Sequence, residues 1–197
     1  MKKVLLGAVI SGSVVAHDYS GFRLGVGSTL GASGSEGVGS LGPQTRLEVG
    51  YDLNRYLSVN LHTTMIKRWE EERSQDPQHY HYARISASGY RTGAELEAGY
   101  TFDIQDGWGV KPYTAFGFMH QSGKLTKSFS DTTNHTPIHR VSHSLEASGL
   151  IVAAGVRIMP THRAAYGDVR INYEPLNGKY KFVQNSSTFT ISFGAKF

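Results

Sequence analysis

From Ser20 onward the sequence repeats with a period of two, and in eight segments one parity is free of charge while the other carries the polar residues. Successive side chains on a strand point to opposite faces, so each segment predicts a strand with one apolar and one polar face. In the first, Phe22, Leu24, Val26 and Leu30 oppose Arg23, Gly25 and Gly27; in the second, Leu47, Val49, Tyr51 and Leu53 oppose Arg46, Glu48, Gly50 and Asp52. The third sets Leu57, Val59, Leu61 and Met65 against Ser58, Asn60, His62 and Thr64, and the fourth sets Tyr90 to Phe102 against Arg91, Gly93, Glu95, Glu97 and Gly99. The fifth is less regular, with Phe116 and Phe118 opposite Lys111, Tyr113, Ala115 and Gly117. Leu150 to Ile158 oppose Gly149, Gly155 and Arg157 in the sixth, and Val169, Ile171 and Tyr173 oppose Asp168, Arg170, Asn172 and Glu174 in the seventh. The eighth ends the chain, with Phe189, Ile191, Phe193, Ala195 and Phe197 against Thr190, Ser192, Gly194 and Lys196.

The gaps between segments alternate in length. Long ones run from Gly31 to Pro43, Lys67 to Gly89, Gln121 to Ser148 and Pro175 to Ser187; short ones fall at Asn54 and Arg55, Asp103 to Gly109, and Pro160 to Ala165. Short turns on one side and long loops on the other predict an all-β, eight-stranded antiparallel up-and-down transmembrane barrel, with periplasmic turns and four long extracellular loops. A soluble barrel with its apolar face inward is the alternative. Three details favour lipid outside. The polar face carries seven cations and six anions, a near balance suited to a narrow interior where each charge needs a partner. The strand glycines fall on that same face, letting a tight wall close around long side chains. Aromatics such as Phe22, Tyr51, Tyr90, Tyr100, Phe102, Tyr173, Phe189 and Phe197 lie near segment ends on the apolar face, as an interfacial girdle requires.

The N-terminus adds a targeting signal: Lys2 and Lys3, an apolar Val4 to Val15, and small residues up to Ala16 predict a cleaved signal peptide over residues 1–16 and a barrel over 17–197. The apolar stretch is too short to span a bilayer as a helix. No cysteine is present, which excludes disulfides, thiolate metal sites and a cysteine nucleophile. With 20 basic and 16 acidic residues, dropping to +2 without Lys2 and Lys3, the charge is too mild and scattered for a nucleic-acid partner. The 23 glycines against 6 prolines and the abundant aromatics favour strands and turns.

The last strand, with Phe189, Ile191, Phe193, Ala195 and the final Phe197, resembles the terminal strand recognised by the bacterial outer-membrane assembly machinery. The mature chain resembles the small eight-stranded outer-membrane proteins: the OmpA transmembrane domain, OmpX and Ail, and the opacity proteins. Gly21 to Gly27 and Gly109-Val110-Lys111-Pro112-Tyr113 are similar to that group's patterns. The resemblance implies the outer membrane of a Gram-negative bacterium, a monomer, and lipid and lipopolysaccharide as surroundings. It specifies a fold rather than an activity.

No nucleotide loop, metalloprotease helix or nucleophile elbow occurs, and no cofactor is expected. Eight strands leave an interior only wide enough for its own side chains, so the lumenal charges read as structural, with a proton or ion leak as the weaker alternative. His135, His139 and His143 repeat every four residues, as metal ligands on a helix would, but Pro137 between the first two opposes a helix. Several imidazoles in the same loops, His79 and His81 included, would also charge together near pH 6. His120 and Ser122 resemble the His-x-Ser pair of outer-membrane lipid A deacylases, with Gly123 where that family usually has Asn and with Asp131 and Glu146 as the nearest acids. The preferred expectation is not an enzyme but recognition through the loops, where Lys67, Arg68, Trp69, Arg73, Tyr80, Tyr82, Lys124, Lys127 and Arg140 supply the aromatic and basic anchors of a surface for host or matrix ligands. A structural role in envelope integrity, without a specific ligand, is the alternative.

Overall fold

The computed structural model describes residues 19–33, 41–73, 81–104, 107–131, 137–160, 165–178 and 186–197; the expected targeting segment lies outside them. Eight long strands follow one another around a ring: β1 (Gly21–Ser33), β2 (Leu41–Asp52), β3 (Leu57–Arg73), β4 (His81–Gly99), β5 (Trp108–Asp131), β6 (Pro137–Pro160), β7 (Ala165–Glu174) and β8 (Ser186–Lys196). Each pairs antiparallel with its neighbours in chain order. The ring closes where β1 pairs with β8, from Arg23↔Lys196 to Ser33↔Ser186. The last residue completes the seam, with Phe22 N–H donating to Phe197 O at 3.1 Å and Phe197 N–H to Phe22 O at 2.8 Å. Two short segments lengthen existing ladders, Phe102–Asp103 against β5 and Leu176–Gly178 against β6.

The two parities separate as the hydropathy pattern requires, with the apolar one outside. Phe116 is 58% exposed and Ile171 62%, whereas Arg23, Arg46, Arg91, Lys111, Arg157, Arg170 and Lys196 are buried in the lumen with Glu48, Asp52, Glu95, Glu97, Asp168 and Glu174. An exposed apolar belt around a buried ring of charge is stable only in lipid. From Trp108 to Phe118 the outward positions of β5 span roughly 26 Å at about 3.4 Å per residue and about 40° tilt, the height of a membrane's apolar band.

Close approach inside the wall explains two of the lumen-facing glycines. A Cβ on Gly93 would stand 2.5 Å from Cε1 of His62, and one on Gly50 2.7 Å from an Arg23 guanidinium nitrogen. Side chains of that length fit only where the facing strand has none.

The strands are far longer on one side than the sequence predicts. Residues 67–89 and 121–148, expected as loops, are mostly paired backbone: Lys67↔Ser88 to Arg73↔Tyr82 between β3 and β4, and Gln121↔Ala147 to Ser130↔Pro137 between β5 and β6. The alternation of apolar and polar residues that marks a strand, apolar outward, fades from the sequence there, although the backbone ladder continues. Likewise β1 and β2 reach into the first gap, with Gly31↔Leu41 paired. Beyond His120, β5 follows a further path of roughly 37 Å to Asp131. Among the described residues β3 above Thr64 pairs only with β4, and β6 above Ala147 only with β5. The result is a four-stranded sheet, β3 to β6, standing on one side of the barrel mouth.

Candidate functional site

Among the described residues three regions carry chemistry: the lumen, the clasp at the end where Tyr19 and Phe197 lie, and the tall sheet with the wall below it. The lumen is a packed network. Glu97 accepts from Arg157 through both carboxylate oxygens, at 2.7 and 2.9 Å, and from Arg23 at 3.0 Å. Arg23 also bonds Asp52 at 3.0 Å, and Arg157 reaches Asp168 at 2.7 Å, whose carboxylate accepts from the Tyr113 hydroxyl at 2.8 Å. Lys111 donates to Ser58 Oγ at 2.6 Å and Ser58 donates on to Asp52 at 2.8 Å. Higher in the lumen, Glu95 meets Arg170 at 2.7 Å and His62 at 3.1 Å, and Arg91 pairs with Glu174 at 2.7 Å. Most of these ion pairs join different strands, which fits a structural role. Towards the far end the interior turns apolar, with Met119, Ala147, Ile151 and Leu176 packed together. Hydropathy alone missed this patch, because an inward position on a sealed barrel tolerates either character.

At the end where Tyr19 and Phe197 lie, Arg55 of the β2–β3 turn bonds the Tyr19 hydroxyl and Asp103, and donates to the Tyr100 hydroxyl at 3.0 Å. Its guanidinium carbon lies 4.2 Å from the centre of the Tyr19 ring and 5.3 Å from that of Tyr100. The Tyr19 hydroxyl donates to Asp103 at 2.5 Å, and Lys196 Nζ donates to the Tyr19 carbonyl at 2.9 Å. Partial burial, then the bond to Asp103, pushes the Tyr19 phenol above its ordinary value; the hydrogen bond to Tyr19 holds Arg55 above its own. Tyr19 thus ties the segment before β1 to two turns.

On the tall sheet, Lys67, Lys124 and Arg140 are exposed on β3, β5 and β6. Trp69, Arg73 and Tyr82 share the register parity of Lys67, whereas Arg68 and Lys127 occupy the other parity. Tyr80 lies outside the described residues. The expected binding set is therefore divided between two faces of one sheet rather than gathered in loops.

The histidine readings change with the backbone. His139 and His143 lie on β6, opposite Phe129 and Leu125, so four residues of strand separate their Cα atoms by roughly 13 Å. Ligands of one ion must lie within a few ångströms, so helix-type spacing gives no shared site here. His135 lies outside the described residues. His120 and Ser122 both face outward, about 7 Å apart along one strand, and are not brought into a nucleophile–base pair. His120 Nδ1 instead meets Ser148 Oγ on β6 at 2.8 Å, a partner whose 28-residue separation hid it from motif reading. Glu146 stands opposite Ser122 in the ladder.

On β8 Phe189, Ile191 and Phe193 face outward, as does Phe197 just beyond it. The sequence matches the family profile of the outer membrane protein beta-barrel domain over residues 4–197. No curated protein matches it significantly. Among solved structures it is similar to Ail, the attachment invasion locus protein of Yersinia pestis, in complex with the heparin analogue sucrose octasulfate, at 19% identity and TM-score 0.51, covering 90% of this chain and 97% of that one. The N-terminal β-barrel domain of Pseudomonas aeruginosa OprF is similar at 14% identity and TM-score 0.50, covering 89% and 97%. A major outer membrane protein of Thermus thermophilus is similar at 13% identity and TM-score 0.50, covering 90% and 99%. Fold, belt and profile agree, and the chain belongs to the outer-membrane protein β-barrel domain family of the bacterial outer membrane.

Proposed function

We propose that this chain is a non-enzymatic surface protein that binds host cells or matrix through the extracellular sheet of β3 to β6. The observation that carries the reading is the sheet itself: four strands continue far above the apolar belt on one side, a cost in ordered backbone that a membrane anchor does not need. Its upper rows carry Arg68, Trp69, Arg73, Tyr82, Lys127 and Arg140, residue types that anchor recognition surfaces. The basic members suit an anionic polysaccharide, and the heparin analogue bound to the Yersinia pestis relative makes a sulfated saccharide the first probe. The filled lumen favours a second reading, a rigid support for the envelope without a ligand.

The test compares cells displaying the intact protein with cells displaying a version whose hairpins are shortened above Lys67 and Ser88 and above Lys124 and Ser144. Attachment to host cells, matrix proteins and sulfated saccharide is scored. Loss of attachment with a folded barrel supports recognition by the sheet. Equal attachment by both versions, or by neither, removes it and leaves the envelope role, read as detergent sensitivity of cells lacking the protein.

A further inference from the structure

The rung of charge nearest the turns is buried although the ladders end there. Asp52 closes β2, Ser58 is the second residue of β3, Lys111 the fourth of β5, and Lys196 closes β8. At the open end of a barrel such side chains would meet water, yet Ser58 and Lys111 are fully buried and Asp52 and Lys196 nearly so. A lysine stays buried only where something both pairs it and covers it. The pairing is a chain of contacts: Lys111 donates to Ser58 Oγ, Ser58 donates to Asp52, and Lys196 Nζ lies 3.4 Å from the same carboxylate. The cover has to come from outside the ladders.

Among the described residues three segments meet over that end. The turns after β2 and β4 are stitched together, with Gly99 N–H donating to Tyr56 O at 2.9 Å and Thr101 N–H to Arg55 O at 3.2 Å. Thr101 is itself buried. The third segment is the one before β1. The Tyr19 carbonyl accepts from Lys196, while the Tyr19 ring and hydroxyl engage Arg55 and Asp103. Lys196 rises from β8 and Asp103 follows β4, strands on opposite sides of the eight-membered ring, so Tyr19 joins the two sides of the mouth. The bonds that hold it differ from those it covers. Arg55 and Asp103 are 27% and 49% exposed, so water competes for their ion pair and their hold is weak beside a ladder. Such a joint opens locally while the barrel stays folded.

We propose that the Tyr19 clasp is a latch on this mouth of the barrel. Closed, it keeps water from the network of Asp52, Lys111 and Lys196. Released, it opens that end of the lumen to small polar solutes while the wall stays intact. The lumen is thus shut at this end by a movable part and not only by its own packed side chains. The latch sits at the opposite end from the sheet assigned to recognition and does not rest on that reading.

The test treats the purified protein, in phosphatidylcholine nanodiscs, with a water-soluble amine-acylating reagent and reads the rate at each lysine by peptide mass spectrometry. Lys67 and Lys124, both exposed on the tall sheet, serve as references. In the parent, Lys111 and Lys196 are expected to react about tenfold more slowly than the references, or slower still. In Tyr19→Ala, and separately in Arg55→Gln, both should gain about tenfold while the references stay unchanged. Unchanged rates at Lys111 in the two variants, or a parent rate at Lys111 equal to the references, would overturn the latch. So would acceleration of Lys196 alone, which would reduce the clasp to a tie on β8. Both substitutions lie outside the strands and leave the ladders complete, and circular dichroism verifies the folded barrel.

Discussion

Arg157 and Glu97 face each other across the lumen in a two-pronged ion pair, Nη1 to Oε2 at 2.7 Å and Nη2 to Oε1 at 2.9 Å, although 60 residues separate them in the chain. Glu97 also takes Arg23, so one carboxylate joins β1, β4 and β6. Replacing Glu97 by Gln leaves two buried guanidinium groups short of an anion. The expected cost is about 3–5 kcal/mol, the usual penalty for breaking a buried pair from one side, read as a lowered urea midpoint in lipid vesicles. A loss under about 1 kcal/mol would mean that the network is solvated rather than sealed.

The outer wall should respond in the opposite sense to charge. Val156, opposite Pro112 near the middle of the belt, is exposed, and Val156→Arg is expected to cost about 2–4 kcal/mol in the same assay. Lys124→Glu, above the belt, should leave the midpoint within about 0.5 kcal/mol. Equal effects at the two sites would misplace the membrane boundary.

Gly93 and His62 form a size-complementary pair, since a Cβ at 93 would press on the imidazole at 2.5 Å. Gly93→Ala alone is expected to destabilise by about 1–3 kcal/mol, the range for overpacking. In a His62→Ala background the same change should cost much less, and the double-mutant cycle measures the difference. Additive effects would show that Gly93 is needed for something other than room.

The clasp at Tyr19 sets a pH dependence outside the membrane. Because the folded protein holds the phenol proton more tightly than an unfolded chain does, this contribution is whole below the ordinary tyrosine value of about 10 and fades as pH climbs through the raised one. Arg55, also raised, stays charged throughout. Subtracting the phenolate titration of Tyr19→Phe from that of the parent should leave a curve with its midpoint above about 10. A midpoint at or below that value would show that the hydroxyl is free of Asp103.

The strands and their facing were legible because lipid forces every outward position within the belt to be uncharged, and residues such as Leu24, Val49 and Ile171 keep that rule. Pairing was not legible: parity places Glu97 and Arg157 in the same lumen, but only the stagger of the ring decides that they meet. The upper halves of β5 and β6 were hidden for a different reason. Around Ser128 and Ser142 the sequence carries no period of two with its apolar parity outward, while the backbone ladder runs on. His120 shows the same limit at one residue, since its partner Ser148 is a neighbour across the ladder and not along the chain.

The continuity of the long strands has a mechanical consequence. Tyr82 and Gly99 sit on one unbroken strand, the first far above the belt and the second at its lower end. A pull on the tip of the sheet is therefore directed along the strands, loading the hydrogen bonds of two ladders together in shear instead of peeling them apart one at a time. Tension applied at the surface is therefore spread along both ladders instead of falling on one hydrogen bond at a time.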